Sequence, residues 1–276
     1  MKKKLLLTLA VLLLMVGSLY GHDMFLKFSN YFLNPNSDAT VALINGTYDQ
    51  SENVITRDRM QHVQIVGPSS EEVMRPDTTS WWERDNTTYL NFKTGEPGTY
   101  VVGVSTLPRF IDLSSEDFNE YLMHDGVLDV LEARKRDGTL GKDARERYSK
   151  HVKAIFQVGN AQSDVYSKEL GYPIEIIPLQ NPYTLSEGDA IEVRVLRAGN
   201  QVPNQLVYAS YAGYHSHDDE GGHVEAVKTR TNDEGVARIE LSQAGRWYIR
   251  LIHMVETDEA DVDYESNWAT LTFEIR

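Results

Sequence analysis

Eight histidines and no cysteine define what this chain could use to hold a metal or attack a bond. Without thiolates, a metal site must draw on imidazole, carboxylate or a chain terminus. His22 follows Leu19-Tyr20-Gly21 and precedes Asp23-Met24. If the chain were cut after Gly21, His22 would carry an α-amine and an imidazole, and those two nitrogens could close a chelate ring on one ion. The densest group runs from Tyr214 to His223, where His215, His217 and His223 stand among Asp218, Asp219 and Glu220. In an extended segment His215 and His217 point the same way, and the glycines before His223 let it fold back. The plainer alternative is a solvated acidic loop. His253 is different again. It shares one face of an alternating run with Trp247, Ile249 and Leu251, and an acidic stretch with Asp263 and Glu265 follows it. The plainer role there is a hydrogen-bonded, half-buried histidine. As a metal site, the chain offers His22 and His253 with Asp263 and Glu265, and His215, His217 and His223 as secondary ligands. Imidazole and carboxylate suit Ni, Co, Cu or Zn, and ligand type does not choose among them. No Ser-His-Asp pattern, nucleophile elbow or phosphate loop is present, so hydrolase and nucleotide-enzyme chemistry has no support and a non-enzymatic role is expected.

The first 21 residues read as an export leader. Lys2, Lys3 and Lys4 precede an apolar run from Leu5 to Val16, too short to span a bilayer as a helix, and small residues follow. Cuts after Ser18 and after Gly21 both fit the leader rules. No later stretch is apolar enough to cross a membrane, so the protein is expected in the periplasm or outside the cell. The formal net charge of -14 argues against nucleic acid as a partner.

The elements that must position these residues are mostly strands. Ala39–Ile44, Gln61–Val66, Thr87–Phe92 and Tyr100–Val104 carry strand patterns separated by turn-rich segments. Ile191–Leu196 alternates strictly, as a half-buried strand does. In the middle, Ser114-Ser115-Glu116-Asp117 marks a helix start, followed by Phe118, Tyr121, Leu122, Leu128 and Leu131 at near-helical spacing, with a break at Gly126. Lys142–Tyr148 reads as a short charged helix. Two places repeat one order of features: Thr88–Phe92 before Gly98 and Tyr100, and Ala237–Leu241 before Gly245 and Trp247. Each predicts a hairpin. The expected fold is mainly β, with two immunoglobulin-like antiparallel β-sandwich domains over 22–111 and 150–276 and a helical insertion over 112–149.

Four stretches carry a family resemblance. They are Gly21-His22-Asp23-Met24-Phe25-Leu26 at the leader junction, and Arg147-Tyr148-Ser149-Lys150-His151-Val152-Lys153-Ala154. The others are Gly171–Pro178 with Leu185–Val195, and Ala244–His253 with Asp263–Phe273. In these the chain resembles exported bacterial proteins of a domain-of-unknown-function family, grouped with periplasmic components of cobalt and nickel uptake. The resemblance implies an exported sandwich protein with a role in divalent metal handling and a membrane metal transporter as partner. It favours the cut after Gly21, because family members place histidine at that junction.

Three functions remain in view. One is a metal-binding protein accessory to nickel or cobalt uptake. The second is a copper oxidoreductase of the histidine-brace type, which requires His22 and His253 to converge on one ion. The third is a metal-free carbohydrate-binding or adhesion sandwich, with which the 15 tyrosines and four tryptophans, Trp81-Trp82 included, are compatible.

Overall fold

The computed structural model describes residues 22–69, 73–214, 216 and 225–276, and all counts of elements refer to these residues. The expected leader with its expected cut, and His215, His217 and His223, lie outside them.

In chain order the elements are β1 (Asp23–Lys27), β2 (Phe32–Leu33), β3 (Asp38–Gly46), β4 (Met60–Val66), β5 (Val73–Met74), β6 (Trp81–Arg84), β7 (Thr87–Lys93), β8 (Gly98–Thr106) and β9 (Arg109–Leu113). Two helices follow, α1 (Ser115–His124) and α2 (Leu128–Arg136). The rest is β10 (Ala144–Val158), β11 (Ile174–Pro178), β12 (Ala190–Arg197), β13 (Asn200–Gln201), β14 (Leu206–Tyr211), β15 (Val227–Arg230), β16 (Val236–Glu240), β17 (Gly245–Glu256) and β18 (Tyr264–Ile275).

The protein is mainly β, a sandwich of largely antiparallel sheets. A ten-stranded sheet runs β15-β14-β17-β18-β10-β8-β4-β5, with β2 and β9 also paired to β10. A four-stranded sheet, β1-β3-β7-β6, lies against one face, and another, β11-β12-β13 with β16, lies against the opposite face. The halves of the chain are therefore joined through one sheet. Its centre is the parallel pair β10–β18, in register from Glu146 beside Tyr264 to Ala154 beside Thr272.

Period-two alternation sorts the side chains of this pair. Val152, Ala154 and Phe156 point into the core under β1, β3 and β7, with Met24, Leu26, Val41 and Leu43. Ile155, Leu271 and Phe273 point the other way, into the core under β11, β12 and β16, together with Trp247, Ile249 and Leu251 of β17. The helices cover the first of these faces beyond the reach of β1. Phe118, Tyr121, Leu122 and Leu131 pack there on Ile252, Met254 and Trp268. Ser114 caps α1 by accepting the Asp117 N–H, as its sequence predicts. Gly126 separates the helices at φ +78°, and a Cβ there would meet the Tyr208 hydroxyl at 2.5 Å.

Two local expectations fail. Residues 144–148 are strand, not helix. Their charges alternate with period two, so Glu146 turns inward while Arg145 and Arg147 reach carboxylates at the surface. The helical segment therefore ends at Arg136, and β10 begins inside the range expected for the insertion. The two predicted hairpins are also absent as hairpins. β7 and β16 each lie in a small sheet, and β8 and β17 in the large one. Each repeated motif is thus an arch from one layer to the next. Gly98 sits at the first arch because a Cβ would lie 2.2 Å from Pro68 Cγ.

One buried ion pair ties the far layer to the centre. Lys153 Nζ of β10 lies 3.0 Å from Glu175 Oε2 of β11, with the two side chains 3% and 4% exposed. Glu175 also accepts the backbone N–H groups of Leu170, Gly171 and Tyr172. Glu175→Ala strands a buried ammonium and three amides, which costs about 3–5 kcal/mol of stability in urea unfolding. The double substitution Lys153→Met with Glu175→Gln keeps an acceptor oxygen and removes both charges, and it costs less than the single one. A loss under about 1 kcal/mol for Glu175→Ala would contradict this view of the pair.

Candidate functional site

The face of the large sheet covered by β1 and the helices carries a polar seam where those two covers meet. β1 is attached from below. Thr270 Oγ1 donates to Met24 O at 2.7 Å, and Thr272 donates to Leu26 O at 2.5 Å. At the head of β1, Lys150 of β10 donates from Nζ to the His22 carbonyl, and to Asn45 Oδ1 at 3.0 Å. Its ammonium also lies 5.1 Å from the Trp268 ring. Asp23 Oδ2 lies 3.4 Å from Arg250 Nε of β17. Arg250 donates in turn to Glu225 Oε1 at 2.6 Å and to the Asp125 carbonyl at 3.0 Å, and it covers the Tyr208 ring. Behind these, Glu146 accepts from the Tyr121 hydroxyl at 3.1 Å and from Ser266.

Burial shapes the charges of this seam. It lowers the Lys150 ammonium to a pKa of about 8, against the opposing pull of Asp23 and Asp125. Burial raises the Glu146 carboxyl to about 7, although Ser266 and Tyr121 donate to it. Burial also raises Asp23, with Arg250 and Lys150 pulling against it. Arg250 is raised further, because Asp23 and Glu225 outweigh its own desolvation.

His22 stands at the open end of this seam, 22% exposed, with Nε2 2.6 Å from Glu52 Oε2. A carboxylate only accepts, so His22 donates from Nε2, and in the neutral imidazole that tautomer puts the lone pair on Nδ1.

His253 is elsewhere. Lys150 and Arg250 lie on the β1 face of the sheet, and His253 has the parity of Leu251 and Ile249, on the opposite face. The large sheet therefore separates His22 from His253, and the two cannot share an ion. His253 Nδ1 lies 2.8 Å from Gln205 Oε1, and the Gln205 amide nitrogen donates to the Leu206 and Ile252 carbonyls. Burial and the nearby Arg197 charge lower its pKa, so it is a neutral, half-buried histidine whose Nε2 has no hydrogen-bond partner among the described residues. Glu265 does share its face, but Arg147 and Arg197 hold that carboxylate. Asp263 Oδ2 accepts the Arg145 backbone N–H at 2.7 Å. Two guanidinium groups around Glu265 oppose a cation there. Among the described residues no three histidine or carboxylate side chains are grouped for a metal ion.

Asp23, Glu146, Lys150, Glu225 and Arg250 were missed from sequence. The available signal was Arg250 inside the otherwise apolar strand run Trp247–Ile252, and Lys150 just ahead of the run Val152–Val158, where each buried charge requires a partner. His151 is buried on the His253 face and fully satisfied by Ser105, Ser149 and Asn267, with its pKa lowered to about 4 by burial. The adjacent Trp81 and Trp82 split across their strand. Trp81 packs on the core, and Trp82 stacks on Tyr89 at 4.1 Å on the outside.

A family model described as a domain of unknown function, DUF4198, matches residues 19–255. The chain belongs to the DUF4198 family. The match takes in the seam from His22 to Arg250. A search of curated proteins finds no match. Among solved structures, a Salmonella alpha-2-macroglobulin reacted with methylamine is 11% identical over 91% of this chain, with a TM-score of 0.25, and this chain spans 15% of its length. The D0-D1 domain of intimin is 12% identical, covering 92% of this chain and 99% of that one, with a TM-score of 0.20. The Yersinia pseudotuberculosis adhesin InvE is 13% identical over 92% of this chain and 61% of that one, with a TM-score of 0.22. Similarity this low carries no inference about this DUF4198 protein. Among the described residues no helix is long and apolar enough to cross a membrane.

Glu146 sets a pH dependence. Its folded pKa of about 7 exceeds the ordinary 4.5, so the folded state binds more protons between those values. Its stabilising contribution is full below pH 4.5 and is lost as pH rises through 7. Glu146→Gln stays neutral and keeps an acceptor for Tyr121. Between pH 5 and pH 8 the parent protein should lose about 2 kcal/mol relative to this variant in denaturant titrations. A difference constant with pH would show that the carboxyl is already ionised at pH 5.

Proposed function

We propose that the protein is an exported carrier of one divalent transition-metal ion, held at the head of β1 by His22. The observation that supports this is the 2.6 Å contact between His22 Nε2 and Glu52 Oε2. A metal-binding histidine commonly gives its second ring N–H to a carboxylate, which fixes the tautomer and raises the basicity of the ligating nitrogen. Here that arrangement presents Nδ1, the ring nitrogen that can close a six-membered chelate with the nitrogen of its own residue. With the leader cut after Gly21, that second nitrogen is an amine. The bond from Lys150 to the His22 carbonyl and the contact of Asp23 with Arg250 hold the residue in place without occupying either nitrogen. The donor set is nitrogen-rich, suited to Ni, Co, Cu(II) or Zn. With two ligands from one residue, other positions stay open to water or to a partner, which favours transfer over permanent storage. A membrane transporter for nickel or cobalt is the partner this reading names. A copper oxygenase brace is not favoured, since His253 lies across the sheet.

Calorimetry on metal-free protein beginning at His22 tests the reading. One equivalent of Ni(II) or Cu(II) should bind. His22→Ala should weaken it at least 100-fold, and Glu52→Gln about 10-fold, as loss of an orienting carboxylate does. His253→Ala should leave the affinity unchanged. Unchanged affinity in His22→Ala would overturn the proposal.

A further inference from the structure

A cavity of about 370 Å³ opens at the other end of β10 and β18, a size that admits a small ligand. It lies seven residues along β10 from Lys150, roughly 23 Å at the rise of a strand, so it is separate from the His22 seam. Its apolar wall is built from Phe32 and Tyr183, whose rings meet edge to face at 5.1 Å. Tyr183 donates its hydroxyl to the Ile155 carbonyl at 2.7 Å, which locks that ring. The Arg276 guanidinium rests 3.7 Å from the centre of the Phe32 ring.

The polar side of the cavity is rich in amides. Asn34, Asn160 and Gln162 line it, and all three are exposed. Gln157 lines it too, but its amide is spent internally on Thr99 and on the Val158 and Gly159 carbonyls. Glu274 adds a carboxylate to the lining. Its Oε2 is buried without a hydrogen-bond partner among the described residues, and Arg246 Nε stands 3.7 Å away.

Ring surface beside side-chain amides and a carboxylate is the chemistry that recognises a polyol. Amides offer donor and acceptor together to neighbouring hydroxyls, and a carboxylate accepts from a third. The ring walls take the apolar C–H face. Among the lining side chains Arg276 offsets Glu274, so the cavity has no excess side-chain charge to draw an ionic ligand. We infer that this cavity binds a neutral sugar ring of a glycan, gripped by Asn34, Asn160, Gln162 and Glu274 against Phe32 and Tyr183.

The test is a printed array of neutral and sialylated glycans, probed with the full mature chain in excess EDTA so that metal plays no part. Binding to a subset of neutral glycans is expected. Asn160→Ala combined with Gln162→Ala, both at exposed positions, should reduce it at least tenfold, and Glu274→Gln should reduce it as well. His22→Ala should bind as the parent does, which keeps this result independent of the metal reading. Binding to no glycan, to sialylated glycans only, or equally by the parent and the variants would overturn the inference.

Discussion

The pleat of the β10–β18 pair is the constraint on which the rest of the molecule depends. Two parallel strands, in register over nine residue pairs, run through the middle of a sheet covered on opposite faces by two different layers. Because successive side chains leave on opposite sides, each residue of these strands belongs to one layer or the other. Even-numbered positions of β10, from Lys150 to Phe156, serve the layer that contains β1 and the helices. Odd-numbered positions, with Lys153 as the charged member, serve the layer that contains β11 and β12. A one-residue slip of either strand would put the charges and the apolar side chains into the wrong cores.

This sorting also distributes the buried charges. Lys153 meets Glu175 on one face, and Lys150, Arg250 and Glu146 gather on the other with Asp23, Glu225 and Tyr121. Such groups are poor sources of net stability, since desolvation offsets most of the Coulomb attraction. Their effect is to fix geometry. An ammonium that reaches the first carbonyl of β1, and a guanidinium held between two carboxylates, admit one placement of the strand that begins at His22. The helices contribute a third fixed point. Arg134 of α2 is buried against the Phe118 ring and donates to Asn119 and to the Lys142 carbonyl, tying both helices to the start of β10.

Much of the fold was legible in the sequence, because alternation and capping are local. Ile191–Leu196, Thr87–Phe92 and the Ser114 cap are where their patterns place them, and the mainly β class follows from many such short runs. Residues 144–148 show how the reading fails. Arginines at every second position there, Arg145 and Arg147, mark one face of a strand reaching surface carboxylates, and a count of charged residues takes the segment for a helix. The two arches failed for a different reason. Strand, glycine and aromatic-led strand describe a chain reversal, and nothing local says whether the second strand pairs with the first or crosses to another sheet. The candidate site was half legible. Periodicity correctly put His253 on the face of Trp247, Ile249 and Leu251. It could not say which layer covers that face, since this is decided by β18 pairing with β10 across more than a hundred residues. Glu52 as the partner of His22, 30 residues on, was likewise invisible.

The sheet thus divides the histidines that the sequence would have joined, and leaves His22 paired with Glu52 at the head of β1. Anomalous diffraction at the nickel or copper edge, from crystals of the metal-loaded mature protein, measures that division directly. The account predicts one strong peak within bonding distance of His22 Nδ1, on the β1 side of the large sheet, and none at His253. A peak bonded to His253 Nε2, with or without His22, would contradict it.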